Sequence, residues 1–324
     1  MIDRIVEVAV PARLSVRDAQ LVIAFDGMGP VSTPLSEIAI LLLVHPQVTL
    51  TQAVLSRIAE AGGSVITIDG NFLPASMLLP VQAHFIQTER FAGQIELTLP
   101  ARKRLWKQII SAKITAQGKL LKERHGSDSG LVPMAARVRS GDPSNIEAQA
   151  ARRYWPILFD NPRFRRGSEG PDQNQHLDYG YAVLRAAVAR ALCAAGLHPS
   201  IGLRHRNRYD TFCLASDLME PFRPLIDRRV ASWILNHDPA ERLDSTAKHW
   251  LLGALTARYR VEEEQRSLFD ILSRTANSLA RCITGASSEC DIPALPEEYA
   301  AEPTLKMPGQ SAKLAHSTQR ENVG

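Results

Sequence analysis

Metal-knuckle and dithiol spacings are missing from this chain. Its four cysteines, Cys193, Cys213, Cys282 and Cys290, include no CxxC pair, so neither a zinc ribbon nor a thioredoxin-like motif is supported. Scattered thiols suit a reducing cytoplasm, which is the expected location. Long hydrophobic runs are missing too. The longest purely aliphatic run, Ile38 to Val44, is far too short to span a bilayer. Arg185 and Arg190 interrupt the apolar stretch from Tyr179 to Leu197. The opening residues carry acids and no cleavage pattern, so a secreted protein is not expected. There is no Walker A loop, Rossmann glycine fingerprint or HExxH; Gly118-Lys119 lacks the preceding glycine and the following Ser or Thr. These absences argue against an NTPase, a dinucleotide oxidoreductase and a zincin.

What is present can build a core. The 324 residues are 45% hydrophobic, enough for two domains or one large domain with an appendage. Net charge is only +4, but its distribution is uneven. From Ala101 to His125, eight Lys or Arg residues, among them Arg102, Lys103 and Arg104, face one acid, Glu123. Further clusters are Arg163, Arg165 and Arg166, then Arg204, Arg206 and Arg208, then Arg228 and Arg229. Each cluster alone reads equally well as a solvated face. Two of them flank candidate metal ligands, which favours phosphate neutralisation on DNA.

Residues 1–80 read as strand-rich. Ile5 to Val10 alternates, Met28-Gly29-Pro30 and Asp69-Gly70 are turn chemistry, and Ser64 to Asp69 is a β-branched run. Thr51 to Ala61 has helical spacing and is stopped by Gly62-Gly63. Residues 81–100 read as a linker, and the pattern is helical from Pro100 onward. Asp142-Pro143 opens a helix that runs through Asn145 to Trp155. Asn161 to Asn174 is a polar loop, and Tyr179 to Ala195 a buried helix ended by Gly196. Asp217 to Arg223 starts or forms a shorter helix, and Ala247 to Tyr259 and Gln265 to Ile283 read as amphipathic helices. After Gly285 the composition points to a largely disordered tail, residues 286–324. The expected class is α+β: a β-rich N-terminal domain joined by a linker to a larger all-helical domain over 101–285.

The chemistry rests on acids and one histidine in the helical part. Asp217 and Glu220, three apart, are expected on one helix face, although Pro221 limits that helix. His205 lies among arginines twelve residues earlier, and Glu147 falls one turn into its helix. Oxygen ligands with one imidazole suit magnesium or manganese. Each residue also has an ordinary explanation: a dipole-complementing Glu, a solvated acidic face, a surface His. On spacing alone the set is a weak signal.

Several separated blocks resemble one family. These are Leu177-Asp178-Tyr179-Gly180-Tyr181-Ala182-Val183-Leu184, Gly196-Leu197-His198-Pro199, Gly202-Leu203-Arg204-His205 and Phe212 to Pro224, which contains Ser216-Asp217-Leu218-Met219-Glu220-Pro221. The segment Asn145 to Trp155, the N-terminal Val31 to Ile38 and Val48 to Thr51, and the helix through Ser267 to Ala280 also match in order. Together they are similar to the CRISPR-associated endonuclease that serves as spacer-acquisition integrase, most like the shorter members accompanying type II systems. The likeness spans about residues 1–284. It implies metal ligands at Glu147, His205 and Glu220, with Asp217 as an acidic neighbour. Asp178 departs from the Asn common in the family.

The resemblance further implies a homodimer, with two dimers bridged by a small ferredoxin-like CRISPR protein into a heterohexameric complex. The substrates implied are a prespacer duplex with 3′-OH ends and the CRISPR repeat. A metal-dependent endonuclease/integrase, joining DNA by transesterification, is the expected activity. A stand-alone metal-dependent nuclease and a non-enzymatic DNA-binding scaffold remain the rivals. The former needs no dimerising β domain, and the latter no Glu147–His205–Glu220 set.

Overall fold

The aliphatic run that is too short for a membrane becomes the centre of a sheet. In the computed structural model, which describes residues 4–68, 74–80, 84–167, 172–205, 210–241, 243–293 and 295–301, strand β5 (Ile38–Leu43) lies between β1 (Arg4–Val8) and β7 (Ser64–Ile68). Both pairings are parallel, and β8 (Pro74–Leu78) adds antiparallel to β7. A strand covered on both faces needs apolar side chains at every position. Leu41 packs with Val6, Val8 and Val65 on one face, while Ile40 and Leu42 pack with Ile5 and Ile66 on the other.

The first face is covered by a second sheet. It contains β2 (Arg13–Arg17), β3 (Gln20–Ala24), β4 (Val31–Pro34) and β6 (Thr49–Leu50), in the order β4-β3-β2-β6, with helix α1 (Gln52–Glu60) alongside. Asp18 and Ala19 both have positive φ, the geometry of a two-residue hairpin turn. The second face joins the helical core directly. Arg190 reinforces this seam, its Nε donating to the Gly62 carbonyl oxygen at 2.6 Å.

The helical part starts inside the expected linker, because residues 87–96 form α2 (Gln87–Glu96). The long α3 (Leu99–His125) follows, ended by Gly126 at φ +76°. Next come α4 (Leu131–Ala136), α5 (Ile146–Leu158), the buried α6 (Gln173–Ala194) and the short α7 (Cys213–Leu218). A 3₁₀ turn (Glu220–Phe222) leads into α8 (Arg223–Trp233). Gly180 of α6 lets α8 approach closely, since a Cβ there would overlap Ile226.

Asp142 does not open its helix directly: α5 begins at Ile146 after Asn145 at φ +50°. Asp142 still caps it, accepting from the Ile146 and Glu147 amides at 2.9 and 3.0 Å. The last two helices are shorter than the periodicity suggested. Between α9 (Ser245–Thr256) and α10 (Leu268–Ile283) lies a hairpin, β9 (Ala257–Val261) and β10 (Glu264–Ser267), turning through Glu262 at φ +56°. The expected tail is not free throughout either, because β11 (Glu297–Ala301) pairs with β9. Arg228 and Arg229, expected among the basic patches, both pair with Glu298 of that strand. Residues 302–324, Asp69-Gly70 and Arg206 to Arg208 lie outside the described residues.

Candidate metal site and its surroundings

Glu147 stands in the first turn of α5, where Asp142 fixes the backbone. Glu220 opens the 3₁₀ turn enforced by Pro221 and is almost fully buried. These two carboxylates, 73 positions apart in sequence, close on one cation. Lys113 Nζ of α3 is 2.7 Å from Glu147 Oε1 and 2.6 Å from Glu220 Oε2. Glu220 Oε1 also meets Arg223 Nε at 2.8 Å. Burial alone would raise the Glu220 pKa, but Lys113 and Arg223 outweigh it and hold the value below the ordinary carboxylate range. Burial likewise opposes the Lys113 charge, while Glu220 and Glu147 keep its pKa above that of a free lysine.

The third side chain is positioned by a fourth. Asp217 is wholly buried. Its oxygens accept from the backbone amides of Leu203 at 2.6 Å, Arg204 at 3.0 Å and His205 at 3.3 Å, and Oδ1 lies 2.5 Å from His205 Nδ1. The expected shared face of Asp217 and Glu220 therefore does not form. α7 ends at Leu218, so Asp217 turns to the 203–205 loop and Glu220 turns to α3. The hydrogen bond to Asp217 raises the His205 pKa against partial burial, and the charges of Asp217, Glu220 and Glu147 add to the rise. Trp106 meets the ring edge-on at 5.8 Å.

The donor set fits a divalent cation. Two carboxylates and an imidazole supply the oxygen-rich, single-nitrogen chemistry of magnesium or manganese sites. Glu220 Oε2 is buried and, among the described residues, its ion contact is with Lys113 at 2.6 Å; a carboxylate oxygen with one such partner keeps a second lone pair for a cation. Asp217 orients the His205 ring through Nδ1, as outer carboxylates do for metal-bound histidines. Among the described residues no three such side chains close on one point; Glu147 and Glu220 meet on Lys113.

The basic residues separate into committed and exposed ones. Arg102 is spent inside the protein, donating to the carbonyl oxygens of Leu97, Gln94 and Ile95 at the end of α2. Arg166 donates to Asn174 Oδ1 at 2.8 Å, pairs with Asp178, and lies 5.3 Å over the Tyr181 ring. The departure at Asp178 is thus an ion pair. Arg165 donates to the Pro162 and Phe164 carbonyl oxygens, both at 2.9 Å, yet stays exposed. Lys103, Arg104, Arg163 and Arg204 are exposed as well, and Arg206 lies outside the described residues. A cleft of about 350 Å³ lined by Arg166, Arg185, Tyr181 and Arg223 adjoins Glu220.

Sequence reasoning missed Lys113 and Arg223. Lys113 was counted with the basic run, but it follows Ile109 by four residues, on the stripe that carries Ile109, Ala116 and Leu120 inward. A lysine on an apolar helical face is the signal for a buried ion pair. Arg223 is three residues after Glu220, the spacing of a helical ion pair.

Two carboxylates that meet on one lysine, an imidazole held by a buried aspartate and exposed arginines nearby are what the helical part brings together. The comparisons place the chain in a family. Residues 8–252 match the family described as CRISPR associated protein Cas1. The CRISPR-associated endonuclease Cas1 of Neisseria meningitidis serogroup C (strain 8013) is 33% identical over 280 residues, 86% of this chain and 91% of that protein. Among solved structures, a casposase bound to integration product superposes with a TM-score of 0.72 at 19% identity, over 93% of this chain and 95% of the other. A chain of a Cas6-RT-Cas1–Cas2 complex gives 0.66 at 18% identity, covering 89% of this chain and 35% of the other. The protein belongs to the Cas1 family.

Proposed function

We propose that this protein is a CRISPR adaptation integrase: a divalent-metal-dependent DNA endonuclease that inserts prespacer DNA into the repeat array. The observation that carries the reading is the meeting of Glu147 and Glu220 on Lys113, beside a His205 ring held by Asp217. The endonuclease name of the Neisseria relative and the integration product bound to the casposase support the same chemistry.

Glu147, Glu220 and the His205 Nε2 face are the groups that would hold magnesium or manganese. Such an ion, when bound, supplies Lewis acidity at a phosphoryl oxygen and charge stabilisation for the leaving 3′ oxygen. The chain itself does the rest. Asp217 keeps the imidazole in one orientation with Nδ1 occupied, which leaves Nε2 as the nitrogen for a ligand. Arg223 neutralises Glu220 from behind. Lys103, Arg104, Arg163, Arg165 and Arg204 give the DNA backbone its counter-charges. The attacking group is the 3′-OH of the prespacer, so no protein nucleophile is required, and positioning selects that hydroxyl over water.

The reading extends to assembly. The β-rich residues 1–80 serve as the dimerising part and residues 101–285 as the catalytic part. A small ferredoxin-like partner bridges two dimers into a heterohexamer, and the Cas2 that accompanies one structural relative supports this. The reading puts the work in the cytoplasm, which the free cysteines suit. Among the described residues no helix is long and apolar enough to cross a membrane.

The test offers the protein a short duplex with free 3′-OH ends, a supercoiled plasmid carrying the repeat array, the small partner, and magnesium or manganese. The expected result is covalent joining with plasmid relaxation, abolished by dideoxy 3′ ends. Strong metal-dependent cutting without joining under all these conditions makes the chain a nuclease and overturns the integrase reading.

A further inference from the structure

We infer that Lys113 is a resident counter-cation of the catalytic carboxylates, and that a divalent cation enters the site by exchange with it. This rests on the reading of Glu147, His205 and Glu220 as the cation site.

The argument starts from charge. Two carboxylates drawn together and largely removed from water repel each other and would raise each other's pKa. Here they do not stand alone. One ammonium lies within 2.7 Å of Glu147 Oε1 and 2.6 Å of Glu220 Oε2, and the Lys113 side chain is only 12% exposed. The metal-free pair is thereby neutralised and held at the spacing of a single ligated cation. α3 supplies the lysine, α5 and the 3₁₀ turn supply the acids, and the contact ties three elements together.

A second cation cannot share those oxygens. A divalent ion at that meeting point would lie against the ammonium with like charge and compete for the same acceptors. Only a long, flexible stem lets one of the two yield, and Lys113 has four methylenes on which to swing away. The alternative guardian, Arg223, does not have to move, because it holds the other oxygen of Glu220. Lys113 therefore has two duties. It keeps the acid pair assembled before loading, and its displacement sets the cost of loading. Once displaced, its ammonium is a free cation beside the site where the DNA phosphate arrives.

The experiment uses the full chain and manganese alone. Mn²⁺ binding is measured by calorimetry or by the loss of the free-ion EPR signal, and melting is followed with and without Mn²⁺, for wild type, Lys113→Gln and Lys113→Met. Both variants should bind Mn²⁺ more tightly, by about tenfold or more, within the range that groups touching metal ligands usually command. Both should melt lower without metal and regain more than wild type when it is added. In the wild type, Lys113 should be slow to undergo reductive methylation without metal and faster with Mn²⁺, read by peptide mass spectrometry. This readout does not depend on the variants folding. Equal or weaker Mn²⁺ affinity in the variants, or Lys113 labelling indifferent to Mn²⁺, overturns the exchange. A Glu147→Gln/Glu220→Gln double variant separates the two readings. If it loses Mn²⁺ while the lysine variants bind as wild type does, only the exchange falls. If it still binds Mn²⁺ as wild type does, the cation-site reading falls and the exchange with it.

Discussion

His205 Nδ1 and Asp217 Oδ1 lie 2.5 Å apart, and that contact decides which nitrogen of the ring is left for chemistry. With Nδ1 engaged, Nε2 is the one lone pair available to a ligand. Asp217 in turn is locked by three backbone amides of residues 203–205, so the loop and the ring are set by a single buried carboxylate.

Replacing Asp217 with Asn removes one acceptor oxygen and puts an amide donor among donors. Strand joining and Mn²⁺ affinity should each drop by about 10–100-fold, the usual penalty for losing an outer carboxylate behind a metal-bound histidine. Glu147→Ala should abolish joining while the chain stays folded. If Asp217→Asn joins DNA as fast as wild type in the strand-transfer assay, the ring is not held by this contact.

Gly202 offers a second handle on the same loop. A Cβ at that position would clash with the His205 carbonyl oxygen, approach Cys213 Cβ to 2.8 Å and crowd Asp217 Oδ2 at 3.1 Å. Gly202→Ala should therefore cost about 1–3 kcal/mol of stability, the range for overpacking, and should lower activity by shifting His205. Urea denaturation alongside the strand-transfer assay measures both. Unchanged midpoint and activity would mean the loop has room to relax.

The sequence carried the elements whose pattern is local. The β-branched run of β7 and the helical spacing of α3 are local patterns, whereas the all-apolar run of β5 has no period and is legible only as too short for a membrane. The hairpin β9–β10 is not legible in this way, because its polar positions Arg258, Arg260, Glu262 and Glu264 read equally well as a polar helix surface. The site shows the same division. Spacing left Glu147, His205 and Glu220 as a weak set, and family likeness raised them. The Lys113 contact depends on three elements meeting in space, which no local window contains. Asp217 was misplaced for a similar reason: helical spacing put it beside Glu220, but Pro221 and the 203–205 amides turn the two apart.

Asp227 predicts a pH dependence away from the candidate site. It is fully buried on α8, accepts from Tyr154 Oη at 2.7 Å and also from Tyr181 Oη, and thus ties α5 and α6 to α8. Burial pushes its carboxyl up to about 6, against the pull of the two tyrosines and Arg223. A raised carboxylate pKa means the folded protein holds the proton more tightly than the unfolded chain does. Its stabilising contribution is therefore greatest at acid pH and is lost as pH rises from about 4 to about 6. Wild type should lose about 3 kcal/mol relative to Asp227→Asn across that window. Chemical denaturation of both proteins at pH 4 and pH 7 reads the difference. Parallel stability curves would show that Asp227 has an ordinary pKa in the folded protein.

The basic residues can be sorted by salt. Arg102 is committed to the carbonyl oxygens that end α2, whereas Lys103 and Arg104, its neighbours on α3, are exposed. Removing Arg102 as Arg102→Gln should lower the melting temperature and leave the salt dependence of duplex binding unchanged, because its charge faces the protein. Removing Lys103 and Arg104 together should do the opposite. Each lost phosphate contact reduces the log–log salt slope by about 0.9, so the double variant should flatten it by about 1.8 at unchanged stability. Filter binding or fluorescence anisotropy from low to moderate salt, on a duplex without the repeat sequence, isolates this electrostatic part from sequence recognition. A slope that stays the same in the double variant would assign Lys103 and Arg104 to solvent, and DNA would then have to run past Arg163, Arg165 and Arg204 instead. A slope that falls with Arg102→Gln would mean that α2 lets go of its arginine when DNA arrives.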